Sequence, residues 1–78
     1  MDATTFDRIT HNPAVMGGKA CIRGMRVTVG MILAEVASGT SVAQLLADFP
    51  YLEEADISAA LRYGAYLAEE RELDLLNP

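Results

Sequence analysis

Three stretches of helical periodicity, each with its own start and stop signals, follow one another after Thr28 and constrain the fold more than any other feature of the chain. The first carries Val29, Ile32, Leu33, Val36 and Ala37 at the i, i+3, i+4, i+7, i+8 spacing that gathers apolar side chains on one helical face. Thr28 offers a hydroxyl to the unpaired N–H groups of its first turn, and Gly39 supplies a left-handed stop. Ser41 and Gln44 have the spacing of a capping box for the second helix. Its apolar positions are Val42, Leu45, Leu46 and Phe49, and Pro50 ends it. The third begins near Glu53, where Glu53, Glu54 and Asp56 suit the positive end of a helix dipole. Its expected inward stripe is Ile57, Ala60, Leu61, Gly64 and Leu67 with Ala68, and the small Ala60 and Gly64 would let a neighbouring helix come close. Joined by connections of a few residues, three such helices must pack on each other. The second and third have the lengths of a helix-turn-helix pair.

The preceding residues read as extended. Residues 6–10 form a strand candidate closed by the turn signal Asn12-Pro13. Gly17-Gly18 would close a hairpin between residues 14–16 and 19–22. Met25, Val27 and Val29 alternate with Arg26 and Thr28 at the period of a half-buried strand. The expected architecture is therefore mainly α: a three-helix helix-turn-helix domain with a short N-terminal β-ribbon. Residues 1–27 would form the ribbon, 28–71 the helical core and 72–78 a tail. Seventy-eight residues make one domain, and a core this small is readily supplemented by a homodimer.

Composition removes several function classes. Cys21 is the only cysteine and His11 the only histidine, so neither an intrachain disulfide nor a cysteine zinc site is expected. A nucleophile–base pair would have to use that one histidine, and none is apparent; the expectation is a non-enzyme with no metal and no cofactor. Gly17-Gly18-Lys19-Ala20 resembles a phosphate loop superficially, but it lacks the earlier glycine and has alanine where the hydroxyl for magnesium belongs. No apolar run reaches the ~20 residues that span a bilayer, so no membrane partner is expected. The first residues also lack the pattern of a secretory signal, which makes the cytoplasm the expected compartment.

Charge is divided unevenly. Through Leu33 the chain has Arg8, Lys19, Arg23 and Arg26 against Asp2 and Asp7, a net +2; from Ala34 on, Arg62 and Arg71 stand against nine acids, a net −7. The basic, glycine-rich residues 17–26 suit close approach to phosphates, which makes Lys19, Arg23 and Arg26 candidate DNA contacts, with Arg62 beside Tyr63 and Tyr66 as a further one. Equally open is a structural role, in which these arginines pair with Asp7, Glu35 or the acidic helix. The start of the third helix is itself too acidic to face phosphates comfortably. Leu73, Leu75 and Leu76 sit among acids beyond the core stripe and are candidate partner contacts. Met16, Met25, Met31 and Cys21 read as small or adaptable packing residues.

Taken in order, Arg8-Ile9-Thr10, Asn12-Pro13, residues 17–27 (GGKACIRGMRV), Ile32-Leu33, Ala37-Ser38-Gly39, residues 48–52 (DFPYL) and 56–61 (DISAAL) resemble the family named domain of unknown function 433. The resemblance runs from about Arg8 to Ala68, and its glycine-rich centre is highly specific. Ala20 stands where the family commonly has proline, and Met25 where it has threonine. The resemblance implies a homeodomain-like or winged-helix-like helix-turn-helix. It also implies kinship with antitoxins of the VapB type, which dimerise, bind operator DNA and occlude a toxin of PIN-like ribonuclease fold with a C-terminal segment. Lys19, Arg23 and Arg26 match the central motif, but the DNA-contact role assigned to them comes from their charge. The leading expectation is thus a homodimeric DNA-binding antitoxin; the alternative is a protein-interaction module that does not touch DNA.

Overall fold

A computed structural model describes residues 6–76, with side chains through Glu69. Two short strands, β1 (Ile9–Thr10) and β2 (Cys21–Ile22), precede three helices, α1 (Val29–Ala37), α2 (Val42–Asp48) and α3 (Glu54–Leu76). The described residues are mainly helical, with one two-stranded antiparallel ribbon among them. No helix among the described residues is long and apolar enough to cross a membrane.

The helix boundaries follow from local chemistry. Thr28 Oγ1 accepts from the Met31 N–H at 3.0 Å and Ser41 Oγ from the Gln44 N–H at 3.0 Å, each satisfying one donor that a helix start leaves open. The Ser41 capping box is only half formed, because the Gln44 amide does not reach back. It donates instead to Asp48, one turn further on, at 2.8 Å. At the end of α1, Gly39 has φ +96°. Its N–H donates to Val36 O, and that of Thr40 to Glu35 O, the paired bonds of a Schellman stop. With no glycine or proline between Ala65 and Leu76, α3 runs on through Leu76, past the end expected at residue 71.

The N-terminal half departs from expectation. Gly17-Gly18 closes no hairpin; Met16–Gly18 form a 3-10 turn in which all three residues have positive φ. The ribbon pairs more distant residues, Ile9 with Ile22 and Thr10 with Cys21. The strand expected at 25–29 reduces to a bridge between Cys21 and Thr28, since the Thr28 cap commits Val29 to α1. Its alternation is nonetheless real in burial: Val27 and Val29 are buried and Arg26 is exposed. Ile22 and Met25 bracket a tight turn, with Met25 N–H donating to Ile22 O at 2.8 Å. Both central residues, Arg23 (φ +46°) and Gly24 (φ +74°), are left-handed, as the hairpin-favoured type I′ turn requires.

Ile22, Val27, Val29, Ile32, Leu45, Leu52, Ile57 and Ala60 form the core, so β2 and all three helices contribute to it. Burying each of the larger side chains contributes roughly 1.5–3 kcal/mol. Gly64 lies against α1 so closely that a Cβ there would stand 2.8 Å from Leu33 Cδ1, which is the close approach expected of it. Three positions in the expected stripe are misplaced: Leu61, Leu67 and Ala68 are exposed, whereas Asp56 and Ala59 are buried. The inward arc of α3 is rotated toward Asp56 and Tyr63 because the N-terminal segment packs on that side of the helix.

Candidate functional site

The polar centre of the molecule is Asp56, in the first turn of α3, whose side chain is fully buried. It accepts four hydrogen bonds. Arg23 approaches as a two-pronged fork, Nε to Oδ1 at 3.0 Å and Nη2 to Oδ2 at 2.8 Å. Arg8 Nη1 donates to Oδ1 at 2.8 Å, and the Glu53 backbone N–H donates to Oδ2 at 2.8 Å. The same Arg8 nitrogen reaches Glu53 Oε1 at 2.8 Å, while Arg23 Nη2 also donates to Tyr51 O at 3.0 Å. Two arginines and two acids thus close a neutral network tying β1, the Arg23–Gly24 turn and the α2–α3 connection to one carboxylate.

Local structure places each member. Asp56 follows Glu53 by three residues, so its carboxylate can turn back onto the helix-start N–H of Glu53. Arg8 immediately precedes β1, and its carbonyl accepts from Arg23 N–H at 2.8 Å, which sets the two arginines side by side. Burial disfavours the Asp56 charge, but the bonds from Arg23, the Glu53 N–H and Arg8 outweigh that cost and lower its pKa to about 2. The aromatic residues add a second clasp. Phe6 meets Tyr63 edge-on at 5.2 Å and Tyr66 at 5.6 Å, and His11 Nε2 lies 3.2 Å from the Tyr63 hydroxyl. Here the tyrosines fasten the N-terminal segment to α3.

The four candidate DNA contacts share no single depression. Arg23 is engaged in the network, the structural role left open by its charge. Lys19, Arg26 and Arg62 are exposed but line three different depressions. Arg62 faces a groove of about 500 Å³ with Phe6, Arg8 and Tyr66. Arg26 borders a shallower one of about 260 Å³ with Met25 and Tyr51. Lys19 lies at a groove of about 510 Å³ with Thr28, Gly30, Leu33, Tyr63 and Leu67. The side chains of Leu73, Leu75 and Leu76 lie outside the described residues. Cys21 is buried, in keeping with a small packing residue.

Sequence reasoning missed Arg8 and Asp56 as the partners that define this centre. One signal was available: three-residue spacing between Glu53 and Asp56 at a helix start is that of a reciprocal cap, which turns the second acid inward. Nothing local could have named its arginine partners, which lie 33 and 48 residues away.

Comparison with known proteins agrees with this architecture. A crystal structure of a DUF433 member protein from Anabaena variabilis ATCC 29413 superposes with a TM-score of 0.76 at 32% identity, covering 91% of this chain and 70% of that one. An uncharacterised protein, y4eO, from Sinorhizobium fredii (strain NBRC 101917 / NGR234) is 38% identical over 62 residues. That match takes in 80% of this chain but only 28% of the relative's length. The family model described as protein of unknown function (DUF433) matches residues 9–64, which include Arg23, Glu53 and Asp56. The chain belongs to the DUF433 family.

Proposed function

We propose that this chain is a non-catalytic protein-interaction module, in which the glycine-rich basic segment is a clasp within the fold and α3 is the arm offered to a partner. The observation that carries the reading is the convergence of Arg23 and Arg8 on buried Asp56. A guanidinium held by a carboxylate fork and a backbone carbonyl would have to break those bonds before it could meet a phosphate. The remaining candidates, Lys19, Arg26 and Arg62, border separate depressions, which supports reading them as separate surface charges more than as one groove tracking a nucleic-acid backbone. The one histidine is exposed and bonded to a tyrosine, and the one cysteine is buried, which favours a binding role over catalysis. A PIN-like ribonuclease toxin is the partner class to test first, with the acidic, leucine-containing end of α3 as the contacting segment.

The deciding experiment titrates a palindromic fragment from upstream of the gene at several salt concentrations, with wild type and a Lys19→Ala/Arg26→Ala/Arg62→Ala variant. The expected result is weak binding of similar salt dependence for both proteins. Steeply salt-dependent binding that the triple variant loses would return the protein to the DNA-binding class. In parallel, a chain ending at Ala68 is tested for binding to the neighbouring gene's product and for rescue from its toxicity. Undiminished binding and rescue would remove the end of α3 from the mechanism.

A further inference from the structure

We infer that the groove between the start of α1 and the middle of α3 receives the acidic end of α3 from a second copy of this chain, making an antiparallel α3–α3 dimer with Leu67 near its two-fold axis. This rests on the interaction-module reading and names one partner. The groove holds about 510 Å³ and is largely apolar, lined by Val29, Met31, Leu33, Tyr63 and the exposed Leu67. Its cationic side is Lys19, which is exposed and lines the same groove as the first turn of α1. That turn contains no acid to offset the positive helix end. A fitting occupant therefore has an apolar stripe that continues into acids.

The chain carries such a segment. Along α3, Tyr63, Leu67, Glu70 and Asp74 recur at i, i+4, i+7 and i+11, which places these positions on one strip of the helix. The helix is continuous, so position 70 stands about 10 Å further along the axis than Tyr63. A two-fold axis near Leu67 reverses the direction: the acidic positions of each α3 then cross the Tyr63 and Lys19 end of the other groove. Leu67 meets its symmetry mate, and the same patch serves both copies, as an isologous contact demands. The family match stops at residue 64, so this arm lies outside the segment that defines the family.

Sedimentation velocity on the full chain, from micromolar to several hundred micromolar, reads the proposal directly. A reversible dimer is expected, and Leu67→Glu should hold the chain monomeric at every concentration without loss of helical circular dichroism. Lys19→Glu should weaken dimerisation about tenfold or more, and adding Glu70→Lys and Asp74→Lys should restore it, because the charges are exchanged across the interface. In a Cys21→Ser background, Leu67→Cys should oxidise to a covalent dimer, whereas Ala43→Cys on α2 should not. A wild-type monomer throughout would overturn the second-copy assignment, as would a dimer indifferent to Leu67→Glu. If that monomer bound a different protein and Leu67→Glu abolished the binding, the interaction-module reading would stand while the dimer fell. A chain that neither dimerises nor binds a partner protein through this arm would defeat both.

Discussion

Asp56→Asn tests the organising centre of the fold with a change of one heavy atom's identity. The folded carboxyl has a pKa of about 2 against an ordinary 3.8. The difference is worth on the order of 2 kcal/mol when each unit is 1.36 kcal/mol. Asparagine removes that charge and turns an NH2 toward the guanidinium and N–H donors, leaving at least one donor without an acceptor. The two arginine side chains are 35% and 36% exposed, so water can recover part of their hydration. The expected loss is therefore about 2–4 kcal/mol, short of the cost of a fully buried orphan charge. Urea unfolding followed by circular dichroism at neutral pH measures it. The pH dependence gives a separate check. The folded pKa lies below the unfolded one, so the stabilisation is complete above about pH 4 and disappears as pH falls toward 2. Wild type should lose stability steeply across that window, and Asp56→Asn should lose about 2 kcal/mol less there. A variant within about 0.5 kcal/mol of wild type at neutral pH, or one with the same acid slope, would refute the assignment of Asp56 as the hub.

Three further perturbations separate backbone, packing and capping effects. Gly24→Ala places a Cβ where nothing stands within 4 Å, so any cost comes from φ +74° alone; about 1–2 kcal/mol is expected, less for Gly24→Asn, and equal losses for the two would contradict a left-handed turn. Gly64→Ala gains helix propensity of about 1 kcal/mol but sets its Cβ against Leu33 Cδ1. Its effect should become more favourable by about 1 kcal/mol in a Leu33→Ala background, and additive unfolding energies would show that α1 and α3 are not in contact there. Ser41→Ala should cost about 1 kcal/mol, whereas Gln44→Ala should cost only a few tenths, because only Ser41 caps α2. Comparable losses in thermal unfolding would indicate a complete capping box.

What could be read from the chain, and what could not, divides by sequence distance. α1 and α2 were legible to within a residue or so because their caps, stops and apolar spacing lie inside a dozen residues. Thr28, Gly39 and Ser41 perform the bonds their types suggest. An N-terminal ribbon was legible, but its pairing was misassigned because two-residue strands carry almost no periodicity. Gly17-Gly18 proved to be a 3-10 turn, and the pairing skips from Ile9 to Ile22. Leu61 was expected inward because residue spacing specifies the width of an apolar stripe but not what covers each edge of it. The N-terminal segment covers the Asp56 and Tyr63 edge, and no local signal announces that.

The same distinction bears on the basic segment, whose charge suggests a nucleic-acid contact. Charge counts place Arg23 beside Lys19 and Arg26 because they are neighbours in sequence, yet the left-handed backbone at Arg23 and Gly24 turns the chain back on itself between them. A non-glycine residue held at φ +46° carries a backbone cost on the order of 1 kcal/mol, and it persists only where other contacts hold it. The Asp56 fork supplies them: it fixes the Arg23 side chain, while Arg8 O holds its N–H. Turn and ion pair therefore support each other. If that coupling is real, Arg23→Gly should relieve the turn while abolishing the fork, and Arg23→Lys should keep the charge but lose the two-pronged geometry. Both variants should be less stable than wild type by more than about 1 kcal/mol, with the loss largely absent in an Asp56→Asn background. Full destabilisation by Arg23→Lys in that background would uncouple the turn from the network and reopen the question of what else Arg23 touches.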